Sequence, residues 1–318
     1  MDFNNLKQLD IVSSIDTLSI ITPEPHNQLL PEGAEDTGHR TPQNSSTELT
    51  SLKINPNKYA GYEIYHFDDY RQKMSALLKE VGISQFWYSR VDFRFDSYQP
   101  EASYDKVEKA NRALIMCYYY QNPISKNLYE TKHGWDRQRL SYCYKASTVE
   151  LEFYNKEIEE PGGSVLSRLE VRSKRLGELK DVFPLDRPYY LAQKWKAQLS
   201  DCVDAYSAMQ REQNKVLYQQ YIDGKANGIY NSPSDFVQKN TDYIFSGEQM
   251  DELFYMMGAA DPKRARYNFI ARHKKLDVKF IKARNLAQYV DYLCSRLDAF
   301  LVSDNIKDDK YSAESKVA

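Results

Sequence analysis

Residues 89–96 read SRVDFRFD, residues 149–156 read VELEFYNK and residues 167–174 read SRLEVRSK. In each stretch apolar and polar side chains alternate, the period of a strand with one buried face. Val91, Phe93 and Phe95 share one face of the first, and Arg90, Asp92, Arg94 and Asp96 share the other. The second sets Val149, Leu151 and Phe153 against Glu150, Glu152, Tyr154 and Lys156. The third sets Leu169 and Val171 against Arg168, Glu170 and Arg172. Pro161-Gly162-Gly163 falls between the last two and reads as a loop joining antiparallel neighbours. Charges on the outer face of an antiparallel sheet are routine. Three neighbouring strands that each carry several, with little Thr or Val on that face, are less routine and give up β propensity. The pattern points to work done by that face.

Outward from these strands, residues 15–22 (IDTLSIIT) read as a further strand. Residues 23–57 are rich in Pro, Gly, Ser, Thr and acids, too polar to offset their ordering entropy, and read as a flexible insertion. Residues 62–67 (YEIYHF) are a strand candidate. Asp68 then caps a helix with Met74, Leu77, Leu78 and Val81 at helical spacing, ended by Gly82. Residues 104–117 read as a helix and 140–145 as a strand. From Leu191 through Trp195, Leu199, Val203 and Tyr206 one apolar stripe runs along a helix reaching Gly224. The fold class is therefore α+β, with a central antiparallel sheet followed by an α-rich region. The expected division is an N-terminal strand plus insertion (1–57), a catalytic domain (58–185), a helical region (186–303) and a frayed tail (304–318).

The chain of 318 residues has a formal net charge of −2, so any nucleic-acid contact must rest on a local patch rather than overall charge. Tyrosine is abundant, 26 residues against 13 Phe and 3 Trp, which suits half-buried packing and base stacking alike. Cys117, Cys143, Cys202 and Cys294 form no CxxC pair and suggest neither a zinc site nor a disulfide framework. The opening MDFNNLKQLD lacks the pattern of a signal peptide, and no apolar run reaches bilayer length; a cytoplasmic protein with no membrane contact is expected.

Clustered carboxylates without histidine suit a hard cation, Mg²⁺ or Mn²⁺. A tyrosine on the same face suits nucleophilic attack on a phosphodiester, with Lys156 or Arg172 to favour the phenolate or clamp a phosphate oxygen. Tyr154 is singled out by its carboxylates at i−2 and i−4; Tyr142 and Tyr144, on the preceding strand, are the next candidates, and Trp135 could stack a base.

At these residues the sequence resembles the tyrosine replication initiators of staphylococcal-type rolling-circle plasmids, with conjugative-transposon relaxases and the gene II protein of filamentous phages further away. Arg90-Val91-Asp92 matches the family's Arg-hydrophobic-Asp strand, Phe153-Tyr154-Asn155-Lys156 its nucleophile strand, and Arg168-Leu169-Glu170 its Arg-hydrophobic-Glu strand, in that order. The resemblance covers roughly residues 60–185 and implies an HUH-like initiator fold without the His-hydrophobic-His motif; His26, His39, His66, His133 and His273 form no such pair. It implies Tyr154 as nucleophile, Asp92 and Glu170 as principal metal ligands and Glu152 as a further one, with Asp96 and Glu150 behind. The implied activity is site-specific nicking and closing of one DNA strand through a 5′-phosphotyrosine intermediate, with origin DNA, a host helicase and a DNA polymerase as partners and a homodimer left open. A conjugative relaxase, a non-catalytic DNA-binding regulator and a hydrolytic metal nuclease stand as alternatives.

Residues 261–284 (DPKRARYNFIARHKKLDVKFIKAR) form a local basic patch interleaved with aromatics, from which Arg264, Arg266, Lys274 and Lys275 are taken as candidate DNA contacts.

Overall fold

The computed structural model describes residues 10–24, 29–40, 48–98, 101–122, 141–145, 148–159, 161–165, 167–174, 176, 182–274 and 280–302. Seven strands form one sheet: β1 (Ile11–Thr22), β2 (Ala34–Arg40), β3 (Leu49–Ile54), β4 (Trp87–Ser97), β5 (Ser141–Lys145), β6 (Val149–Asn155) and β7 (Ser167–Lys174). Their order is β2-β3-β1-β4-β7-β6-β5, and every neighbouring pair is antiparallel. The class is α+β, as expected.

One face of the sheet is apolar. Leu18, Ile20, Val91, Phe93, Phe95, Leu151, Phe153, Leu169 and Val171 are all buried there. They join one core with side chains of α2 (Phe67–Glu80), α3 (Glu101–Gln121), α5 (Arg187–Asp204) and α10 (Ala283–Leu301). Trp195 of α5 is buried against β7, where its indole N–H donates to Ser173 Oγ at 2.8 Å. Because α5 and α10 pack on the sheet, its core runs past the boundary expected at residue 185. A second, smaller core gathers Leu217, Tyr221, Phe236, Val237, Met250, Leu253, Phe254 and Phe269 from α6 (Tyr206–Ala226), α7 (Pro233–Lys239), α8 (Gly247–Met256) and α9 (Pro262–Arg272). The helix expected to run through to Gly224 is two, with a turn at Ala205 between α5 and α6.

Further expectations are corrected. The stretch 23–57 is not merely flexible: it contributes β2 and β3, and β3 pairs with β1. Leu49, Leu52 and Ile54 bury their side chains, enough apolar area to hold an edge hairpin that composition averaged over the whole stretch conceals. Residues 62–66 form no strand. Asn57, in the short helix α1 (Pro56–Ala60), instead donates from Nδ2 to Ile15 O at 2.9 Å and accepts from Ile64 N–H at 2.8 Å. Those bonds pin the segment across β1, and the next helix starts after His66 rather than at an Asp68 cap.

Candidate active site

The opposite face carries the charges, and register decides which meet. Asp92, Arg94 and Asp96 of β4 stand directly opposite Arg172, Glu170 and Arg168 of β7. Those three stand opposite Glu150, Glu152 and Tyr154 of β6. Directly opposed residues share a face and interact, so the alternation read in three separate strands becomes three cross-strand rows. In two of the rows β7 supplies an arginine between partners from β4 and β6; in the third it supplies Glu170. The face is not left to solvent: Asp92, Asp96, Glu150, Arg168 and Glu170 are all buried, and Tyr154 is 8% exposed.

Beside Tyr154 the face opens into a cleft of about 610 Å³ lined by Asp16, Arg94, Tyr154, Lys156, Arg168 and Glu170 on the sheet side. Asn55, Lys58, Tyr62 and Glu63 line it from the segment pinned by Asn57. The Tyr154 hydroxyl donates to Glu170 Oε1 at 2.7 Å. Strand β6 ends one residue later. Asn155 Oδ1 accepts the Glu157 N–H at 2.9 Å, which turns the chain into α4 (Lys156–Glu159) and keeps Lys156 on the cleft. Arg168 grips both oxygens of Asp96, at 2.5 and 3.1 Å, and reaches Asp16 at 3.0 Å.

Arg172 occupies the middle of the carboxylates. Its guanidinium bonds Glu150, Glu152 (2.8 Å) and Glu170 (2.8 Å from Nε) and lies 3.7 Å from Asp92. Burial disfavours its charge, but Glu170, Glu152, Glu150 and Asp92 together outweigh burial and hold it protonated. The carboxylates respond unequally. Burial raises Asp92 to about 6 despite its bidentate partner Arg90. Burial also works against ionised Glu150, yet Lys174 and Arg172 prevail and pull it down to about 2. Asp16 is likewise raised by burial and lowered by Arg168 and Arg94, with a net downward shift.

Of the residues singled out by sequence, Tyr154, Glu170 and Lys156 meet on the cleft, while Arg172, Glu152 and Asp92 lie in the ion-pair network beside it. Tyr142 and Tyr144 are on the wrong face: they oppose Phe153 and Leu151 and are buried in the apolar core. With Ser141 set opposite Tyr154 by the β5–β6 register, period-two alternation puts both tyrosines on the apolar face. Trp135 lies outside the described residues. Among the described residues no group of three or more His, Cys, Asp or Glu side chains is placed to hold a metal ion. The cause is visible in the donor set: the guanidinium of Arg172 stands where a divalent cation would gather Glu152, Glu170 and Asp92. With Arg172 there, these residues do not fit Mg²⁺ or Mn²⁺.

Arg168 and the wall at 55–63 are parts of the site that residue-by-residue reading missed. Arg168 had a signal: a β6–β7 hairpin centred on Pro161 sets Tyr154 opposite it. The wall had none, because only a fold-spanning contact brings it there. In the basic patch, Arg264 and Lys274 are exposed, Arg266 pairs with Asp251 at 3.0 Å, and Lys275 lies outside the described residues. No helix among the described residues is long and apolar enough to cross a membrane.

No family model matches the chain, and no curated protein matches its sequence. Among solved structures it is similar to a rolling circle replication initiator protein from Geobacillus stearothermophilus, at 8% identity and a TM-score of 0.28, over 52% of this chain and 74% of that one.

Proposed function

We propose that this chain initiates rolling-circle DNA replication by cutting one strand at an origin and carrying the new 5′-phosphate on Tyr154. The observation that carries the reading is a tyrosine hydroxyl hydrogen-bonded to a carboxylate, Tyr154 to Glu170 at 2.7 Å, on an open cleft also lined by Lys156 and Arg168. A nucleophile, a proton acceptor and two cations are what phosphodiester transesterification asks of a protein. The three motif strands resembling tyrosine initiators support the same assignment.

In this reading Tyr154 Oη attacks the phosphorus as its proton passes to Glu170. The bond from phosphorus to O3′ breaks, and its electron pair leaves on O3′, which takes a proton from solvent. Lys156 and Arg168 face the non-bridging oxygens and offset the charge that builds there. Arg172 is a positioning residue: it holds Glu170 by the oxygen that Tyr154 does not use. No step is routed through a metal ion. The tyrosyl ester conserves the energy of the broken bond, so attack by a 3′-hydroxyl rejoins the strand. The free 3′-hydroxyl serves a polymerase, with a helicase to open the duplex ahead.

The test uses single-stranded oligonucleotides tiling the DNA around the protein's own gene, with and without Mg²⁺. Wild type leaves a protein–DNA adduct on a denaturing gel, and Tyr154→Phe leaves none. Cleavage without an adduct, or an adduct that persists in Tyr154→Phe, would sink the reading. Glu170→Gln slows adduct formation by about 10²–10⁴-fold, the usual contribution of a general base.

A further inference from the structure

We infer that α8 and α9 form a helix-turn-helix that reads the sequence of duplex DNA, with α9 as the reading helix. Its role in finding an origin rests on the initiator reading above; the duplex contact does not. The architecture comes first. Ser246 caps α8 by accepting the Gln249 N–H at 3.0 Å. The helix then stops at Met257, and Gly258 takes φ +91°, the left-handed turn that ends helices where only glycine is unstrained. Asp261 caps α9 by accepting the Arg264 N–H at 3.0 Å, with Pro262 in its first turn. Two helices joined by a short glycine-containing turn is the DNA-binding layout, in which the second helix enters the major groove.

The attachment of α9 leaves most of it outside. Phe269 is its buried residue, with its ring centroid 6.2 Å from that of Phe254 on α8. The second anchor is Arg266, paired with Asp251 of α8. The Arg266 guanidinium lies against Gly247, where a Cβ would stand 1.9 Å from Nη1 and displace the flexible end of that side chain. Phe269 belongs to the small second core, and Arg266 pairs with α8 beside it.

The face turned away from these anchors carries Lys263, Arg264, Tyr267, Asn268 and Ala271, all exposed, with Tyr267 at 73%, and Lys274 is exposed just past the helix end. No acidic residue occurs from Pro262 to Lys274, in a chain whose net charge is −2. Charge complementarity therefore selects a polyanion. The chemistry along the helix selects base edges: Arg264 and Asn268 lie one turn apart, the side chains that pair bidentately with guanine and adenine, and Ala271 suits a thymine methyl. The N-terminal part of a reading helix is where base contacts begin; Arg264 stands in the first turn of α9, and Asn268 follows one turn later on the same face. Lys263, Arg272 and Lys274 are left for phosphates.

The experiment selects from a pool of random-sequence 20-base-pair duplexes with the full-length protein, then measures binding of the enriched duplex by fluorescence anisotropy. Wild type enriches a defined motif. Arg264→Ala and Asn268→Ala each weaken the enriched duplex by about tenfold or more relative to the unselected pool. Lys263→Ala weakens all duplexes alike and lowers the salt slope by about 1. Melting temperature and nicking of single-stranded oligonucleotides stay as in wild type. A pool that emerges unenriched, or a motif and affinity unchanged in both Arg264→Ala and Asn268→Ala, overturns the inference. Equal losses on every sequence overturn it as well, since they reduce α9 to a phosphate contact. If enrichment depends on α9 while no oligonucleotide is ever nicked, the duplex reader stands and the initiator reading falls.

Discussion

The arginines of the sheet and those of α9 are the same residue type in opposite circumstances. Arg94, Arg168 and Arg172 are largely buried, and each meets carboxylates from its own strand and from other strands of the sheet. Arg264 and Arg272 lie on a helix that carries no acid, and both are exposed. The sheet imposes pairing because antiparallel register sets side chains opposite one another, so its arginines hold carboxylates in place, Arg168 doing so while it also lines the cleft. The helix imposes none, so its cations remain available to an outside partner. A count of charges in the sequence treats the two groups alike; burial separates them.

The largest effect expected from this contrast is on stability. Arg172→Ala leaves the buried Glu150, Glu170 and Asp92, and the half-buried Glu152, without their shared cation, a loss of about 3–5 kcal/mol by analogy with broken buried pairs, measured by urea denaturation. Added Mn²⁺ then raises the melting temperature of Arg172→Ala more than that of wild type, because the vacated position now suits a cation. Wild-type stability in this variant would break the comparison. Gly247→Ala comes next, at about 1 kcal/mol or less, since the added methyl displaces the flexible end of Arg266 from Asp251 rather than any backbone. Its damage falls on the second core, so duplex binding weakens while Tyr154 still forms its adduct.

A subtler test is titration. Asp92 folds with its pKa near 6, above its ordinary 3.8, so between those values the folded chain keeps a proton that the unfolded chain has lost. This group therefore makes stability fall as pH rises through that window. Glu150, held near 2 against an ordinary 4.5, has the opposite sign: its contribution is present above 4.5 and disappears as pH falls toward 2. Carboxyl ¹³C shifts should place Asp92 near 6, and Arg90→Ala should move it higher still, since Arg90 lowers it. The smallest effect is Arg264→Ala, which should change stability by no more than about 0.5 kcal/mol, as exposed substitutions usually do. A large loss there would mean that α9 uses its outer face for packing.

Much of the sheet was legible because alternation is a local property. Residues 149–155 are a strand as read, and Pro161-Gly162-Gly163 marks the centre of the β6–β7 register. That register already implied that Tyr154 faces Arg168, whereas the face of Tyr142 and Tyr144 waited on the β5–β6 pairing, which sets Ser141 opposite Tyr154. The edge hairpin β2–β3 was hidden because three buried aliphatic side chains sit within a polar stretch. Residues 62–66 looked like a strand because they alternate, but Asn57 ties the backbone of Ile64 and leaves no ladder to join.

What the sequence determined by itself is which side chains share a face, which tyrosine stands among carboxylates, and where a basic segment without acids lies, since these follow from spacing along one chain. Only the tertiary structure decided that Arg172 occupies the centre of the carboxylates, that Glu170 accepts from Tyr154, that the segment around Asn57 walls the cleft, and that Arg266 anchors α9 while Arg264 stays exposed. Each of these depends on which of several opposite charges comes within hydrogen-bonding reach, and in a buried setting that choice is made by long-range packing rather than by sequence separation.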